Sequence, residues 1–139
     1  PTVGAKRLRI LVMDDEPSVR QLFANMLTHL GHESVTVAEG ASAVDYYAAA
    51  ADDGKPFDLA MFDLTVAGGV GGSDAAKMLL ALHPSARLIA VSGYSTDSVL
   101  GRYAESGFVD AMAKPFSVQT LQQTIERVTR STNTSKTTR

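Results

Sequence analysis

The sequence predicts an α/β protein built on a five-stranded parallel sheet, and three observations predict it. Five short apolar or alternating runs, beginning at Leu8, Glu33, Leu59, Arg87 and Phe108, are each followed by a stretch of helical periodicity. That alternation puts a parallel sheet between two helical layers. The middle run, Leu59-Ala60-Met61-Phe62, is apolar without interruption and lies between Asp58 and Asp63, as in a strand buried on both faces. At 139 residues, 45% hydrophobic and 20% charged, the chain is one globular domain in size and far from a disordered composition.

Residues 1–7 form a polar lead-in, and Leu8 to Met13 is the first strand, β-branched at Ile10 and Val12. It runs into Asp14-Asp15-Glu16-Pro17. Three acids are costly inside a strand and proline suits the first turn of a helix, so the chain turns there. Val19, Leu22, Phe23, Met26, Leu27 and Leu30 then recur at helical spacing, with Gly31 as a left-handed cap. Glu33 to Val37 alternates apolar and polar residues, the pattern of an edge strand. Ala41 to Ala51 is an alanine-rich helix stopped by Gly54 and Pro56. The third strand ends on Asp63 and enters a glycine-rich loop, Ala67 to Gly72.

Ser73 or Asp74 can cap the next helix, whose face is Ala75, Met78, Leu79 and Leu82 and which closes at His83-Pro84. Arg87 to Val91 is the fourth strand, ending at Ser92-Gly93-Tyr94. Thr96 to Glu105 is a weaker helix capped by Gly107, and Phe108 to Ala113 is the fifth strand, ending at Lys114-Pro115-Phe116. Ser117 can cap a last helix that buries Leu121, Ile125 and Val128. The globular domain is therefore expected over residues 8–128. Residues 129–139, rich in serine and threonine and without an apolar period, read as a polar tail or linker.

A net charge of −2 gives no pointer to nucleic acid or an anionic membrane, and the absence of cysteine excludes disulfides, thiolate metal sites and thiol nucleophiles. No apolar run reaches the roughly eighteen residues of a membrane span and no signal peptide stands at the start, so a cytoplasmic location is expected. The polar residues of interest share one kind of place, the carboxyl end of a strand: Asp14 and Asp15 after the first, Asp63 at the third, Ser92 at the fourth, Lys114 at the fifth. Singly, each has a plain structural explanation, as capping acid, turn former or solvated charge. Their common location does not.

In the doubly wound order 2-1-3-4-5 the first and third strands are neighbours, and the acidic pair lies beside Asp63. Three negatives against one positive leave a cleft that calls for a divalent cation. Carboxylate oxygens without histidine or cysteine select Mg²⁺, with Mn²⁺ as substitute, over Zn²⁺. A carboxylate nucleophile, such an ion, an ammonium and a hydroxyl together make an aspartyl-phosphate site.

On these residues, Asp14-Asp15, Asp63, Ser92 and Lys114-Pro115 in order and at compatible spacing, the chain resembles the receiver domain of bacterial response regulators from about Leu8 to Val128. The resemblance implies a flavodoxin-like three-layer fold, and the strand order rests partly on it. It implies that Asp63 is the phosphoacceptor and Asp15 a direct Mg²⁺ ligand. Asp14 would act largely through water, and the Thr65 carbonyl would add a further ligand. Ser92 would bond one phosphoryl oxygen and Lys114 pair with another, with Lys114-Pro115 in the cis form. It further implies a phosphorelay role without turnover of a diffusible substrate. The partner would be a histidine kinase or histidine phosphotransfer protein, and the output would pass through a partner protein.

The loop Gly68-Gly69-Val70-Gly71-Gly72 is similar, more weakly, to receivers attached to hybrid sensor histidine kinases. It lacks the Gly-Lys-Ser/Thr of a nucleotide loop. Ser18 and Gln21 on the first helix, with Pro115 and Phe116, form a candidate docking surface; Phe116 packing beneath the last helix is the equal alternative. Tyr94 could shield the phosphoryl group. Ala111 stands where many receivers carry a switch aromatic, and Ala67 where related loops carry proline. Two other readings compete. A magnesium phosphohydrolase would want a second aspartate at position 65, where Thr65 stands. A degenerate receiver acting only as an interaction module would not need all five site residues.

Overall fold

The computed structural model describes residues 7–64, 72–93 and 103–137. Its five parallel strands, β1 (Arg9–Met13), β2 (Glu33–Val37), β3 (Leu59–Asp63), β4 (Leu88–Ser92) and β5 (Asp110–Ala113), lie in the order β2-β1-β3-β4-β5. The helices among the described residues are α1 (Pro17–His29), α2 (Gly40–Asp52), α3 (Gly72–Leu82) and α4 (Val118–Thr137), with a 3₁₀ turn at Tyr103–Ser106. The expected flavodoxin-like three-layer architecture is present, with β2 at an edge as its alternation predicts.

Side-chain alternation along the strands sorts the core into two halves. Ile10 and Val12, Leu59 and Met61, Ile89 and Val91, and Met112 pack with Phe23 and Leu27 of α1 and Leu121, Ile125 and Val128 of α4. The intervening residues Leu11, Met13, Ala60, Phe62, Leu88 and Ala90 pack with Val44 and Tyr47 of α2 and Ala75, Ala76 and Leu79 of α3. β1, β3 and β4 are covered on both sides, which is why their runs are continuously apolar.

Several expectations are corrected. Leu22, Met78 and Leu82 belong to the apolar periodicity but are 45%, 45% and 63% exposed; they lie at the margins of stripes whose centres are Phe23, Leu27, Ala75 and Leu79. α3 begins at Gly72, so Ser73 and Asp74 lie inside its first turn instead of capping it. β5 starts at Asp110; Phe108 ahead of it enters the core edge-to-face with Phe62. The end of the helix expected over Thr96–Glu105 is the 3₁₀ turn, and residues 94–102 lie outside the described residues. The last helix continues past Val128 to Thr137. No glycine or proline interrupts 118–137, so nothing stops the backbone ladder where the apolar period ends. Gly31, Gly54 and Gly107 hold positive φ angles of 91°, 78° and 96°, each just beyond a helical segment.

Candidate functional site

Register brings the acids together before any side chain is considered. β1 and β3 pair Met13 with Phe62, so one further step sets Asp14 beside Asp63. The Asp14 N–H extends the ladder on the other side, donating to the Val37 carbonyl at 3.0 Å. Asp14, Asp63 and Lys114 continue the strand phase of Val12, Met61 and Met112, the α1/α4 face. Ser92 continues the opposite phase, that of Leu88 and Ala90. The strands thus deliver three charged groups to one side of the sheet end and a hydroxyl residue next to them.

One carboxylate oxygen from each of Asp14, Asp15 and Asp63 lies within 4.8 Å of the others. Asp14 and Asp63 are buried, at 0% and 2% exposure, while Asp15 is exposed. The Lys114 ammonium stands 3.0 Å from Asp14 Oδ2 and 3.6 Å from Asp63 Oδ2. Asp14 Oδ1 accepts the Glu16 N–H at 2.9 Å. Ser92 is buried, and its carbonyl accepts the Lys114 N–H at 2.8 Å, so β4 and β5 remain in register up to the site. The Lys114-Pro115 peptide is cis, as the resemblance implies.

Burial holds the Asp14 carboxyl above its usual range, reinforced by the negative Asp63 and opposed by the Glu16 N–H and Lys114. For Lys114 burial acts downward, but the hydrogen bond to Asp14 and the charges of Asp63, Asp14 and Glu16 outweigh it and hold the ammonium above its ordinary value. Two charges this close repel by roughly 3–4 kcal/mol at an effective dielectric near 20, and one lysine does not balance three carboxylates. The donor set is oxygen only and anionic, which fits a hard divalent cation.

Thr65 and Tyr94, the remaining candidates near the site, lie outside the described residues, as does Ala67. Of the docking candidates, Pro115 and Phe116 line a groove of about 420 Å³ that opens beside Lys114 and is also lined by Glu16, Val19 and Leu22. Ser18 and Gln21 are exposed on α1, with Gln21 Nε2 donating to Asn25 Oδ1 at 3.0 Å. Phe116 packs on Phe23 of α1, ring centroids 4.9 Å apart, so it supports the core and lines the groove at once. Sequence reasoning missed Val19 and Leu22 as groove residues because both share the helical period of the core. Glu16 adjoining the acidic pair was visible, but its place at the groove was not.

A sequence profile described as the response regulator receiver domain matches residues 10–126. The chain belongs to the response regulator receiver family. It is 33% identical over 115 residues to the transcriptional regulatory protein TcrA of Mycobacterium tuberculosis, covering 82% of this chain and 43% of TcrA. To the chemotaxis protein CheY of Thermotoga maritima it is 26% identical over 123 residues, covering 88% of this chain and 98% of CheY. The crystal structure of NtrX from Brucella abortus superposes with a TM-score of 0.82 at 25% identity, covering 96% of this chain and 30% of NtrX. The chain thus spans less than half of TcrA and nearly all of CheY. It is a phosphoacceptor receiver domain of two-component signalling. No helix among the described residues is long and apolar enough to cross a membrane.

Proposed function

We propose that Asp63 is the phosphoacceptor of this receiver and that it takes its phosphoryl group from the phosphohistidine of a histidine kinase or histidine phosphotransfer protein. An Asp63 carboxylate oxygen attacks phosphorus in line, the O–P bond forms as the N–P bond breaks, and the imidazole leaves with the bonding pair and takes up a proton. The observation that carries this reading is the convergence of three carboxylates within 4.8 Å on a buried lysine 3.6 Å from Asp63. Asp14, Asp15 and Asp63, with the Thr65 carbonyl, would hold Mg²⁺ or, in its place, Mn²⁺. Bound there, the ion supplies positive charge to the transferring phosphoryl oxygens.

Lys114 sits where it can pair with a phosphoryl oxygen on Asp63, and Ser92 with another. Beyond its own ligand role, Asp14 accepts a hydrogen bond from the Lys114 ammonium at 3.0 Å. Tyr94 is assigned to shielding the acyl phosphate from water. The partner docks on the groove between α1 and Pro115-Phe116, whose wall of Val19, Leu22 and Phe116 is apolar and ends at the lysine. A cytoplasmic setting is part of the same proposal.

Incubation with acetyl phosphate and Mg²⁺, read by intact mass, tests the assignment. A gain of one phosphoryl group that disappears in Asp63→Asn is expected. Unchanged phosphorylation of that variant, or turnover of a small phosphoester well beyond one equivalent, would count against it. Equal dephosphorylation rates for the parent and Tyr94→Ala would remove the shielding role.

A further inference from the structure

Asp14 is anchored at four points. Its N–H donates to Val37 in β2, its Oδ1 accepts from the Glu16 N–H and its Oδ2 from Lys114. The fourth anchor is a side chain outside the site: Arg20 of α1 donates from its guanidinium to the Asp14 carbonyl oxygen at 2.8 Å. That carbonyl belongs to the peptide joining Asp14 to Asp15. Rotation of this peptide would leave the buried Asp14 carboxylate where Lys114 and Glu16 hold it, while swinging Asp15, the exposed acid of the three.

Arg20 is itself well placed to resist such rotation. Its backbone N–H is bonded to the Glu16 carbonyl at 3.0 Å, in the first turn of a helix whose Phe23 and Leu27 are buried. The guanidinium therefore ties the Asp14–Asp15 peptide of the acidic turn to helix α1 through a charge-assisted bond. We propose that Arg20 is a positioning residue for the divalent-ion site. By holding the Asp14–Asp15 peptide it fixes where Asp15 presents its carboxylate, and so sets the affinity for the ion. This rests on the reading that Asp14, Asp15 and Asp63 hold the cation. Groups that orient metal ligands from outside typically govern about 10- to 100-fold in affinity.

Mn²⁺ binding by the full chain, followed by electron paramagnetic resonance without any phosphodonor, is the test. Arg20→Met is expected to weaken binding about tenfold or more, and Arg20→Lys, which can still donate to the carbonyl, to recover most of it. Circular dichroism and thermal unfolding without metal identify folded variants; Arg20→Gln, too short to reach, takes the place of an unfolded Arg20→Met with the same expected loss. If Arg20 merely braces the turn, unfolding shifts while Mn²⁺ affinity in the folded variant stays within about twofold of the parent, and the inference is overturned. Failure of the underlying reading looks different: the parent then binds no Mn²⁺, or Asp15→Asn binds it as tightly as the parent.

Discussion

Gly72 lies so close to Asp63 that no side chain fits between them. A Cβ on Gly72 would overlap the Asp63 carbonyl oxygen and come within 3.0 Å of its carbonyl carbon and 3.1 Å of Leu64 Cδ2. Two of these contacts are with backbone, so no rotamer change relieves them. The first turn of α3 is thus seated directly on the strand end that carries Asp63, the proposed phosphoacceptor. Gly72→Ala gains helix propensity of at most about 1 kcal/mol but incurs overpacking of about 1–3 kcal/mol. A net loss on the order of 1–2 kcal/mol in urea unfolding is expected, together with slower phosphorylation by acetyl phosphate as the Asp63 backbone yields. Stability and rate both equal to the parent would mean that α3 slides away freely.

Arg9 clamps the opposite end of the sheet. Its guanidinium lies 4.7 Å from the Phe57 ring centroid, bonds the Lys55 carbonyl and pairs with Glu33 at 3.5 Å, while its backbone N–H donates to Asp58 at 2.8 Å. Three segments, β1, the start of β2 and the lead into β3, are joined through one side chain. The ion pair is partly exposed and contributes little; the cation–π contact and the carbonyl bond carry more. Arg9→Ala should cost about 1–2 kcal/mol in urea unfolding without lowering the phosphorylation rate. Arg9→Lys should recover only part of it, because the flat stacking surface is lost.

His32 supplies a pH dependence of stability remote from the phosphorylation site. Its Nδ1 accepts the Leu8 N–H at 3.1 Å, a role open only to the neutral ring with its proton on Nε2. Burial pushes its pKa below the ordinary 6.5, with Asp58 opposing. The folded value being depressed, the unfolded chain takes up the proton first as pH falls. The contribution is therefore fully present above about pH 6.5 and declines below it until the lowered folded value is passed. In parallel urea titrations from pH 8 to 5, His32→Gln should show a shallower decline than the parent over this window. Identical slopes would remove His32 from the pH response.

Much of this was legible in the chain because four of the five strands, all but β2, lead into polar residues at the same end of the sheet, Asp14-Asp15, Asp63, Ser92 and Lys114, and no single structural role explains that shared location. The uninterrupted run Leu59–Phe62 identified a strand covered on both faces, and the acids beyond Met13 and Phe62 marked the same end of the sheet. Burial at the margins of helices was not legible: Leu22, Met78 and Leu82 share the helical period of the core but sit at its edge, and a period does not fix the width of the covered stripe. Arg20 was equally hidden. Its contact is with a backbone carbonyl, and no residue pattern marks a carbonyl that needs a donor. The end of α4 was not legible either, because the apolar period stops at Val128 while a backbone without glycine or proline continues helical to Thr137.

The route by which phosphorylation is read should bypass β5. Ala111 pairs in register with Ala90 and packs, partly buried, against the same half-core as Tyr103 and Phe108. A methyl group has no rotamer to exchange, so nothing at this position can swing inward on phosphorylation, and β5 is expected to keep one packing. With Mg²⁺ and beryllofluoride, amide shifts are expected to be large in the segments following β3 and β4 and small along Asp110 to Ala113. Ala111→Tyr, adding a ring with alternative rotamers at a partly exposed position, should enlarge the β5 response. Large shifts along Asp110 to Ala113 in the parent, undiminished relative to Ala111→Tyr, would show that β5 responds without an aromatic ring, through the backbone bond from Lys114 N–H to the Ser92 carbonyl.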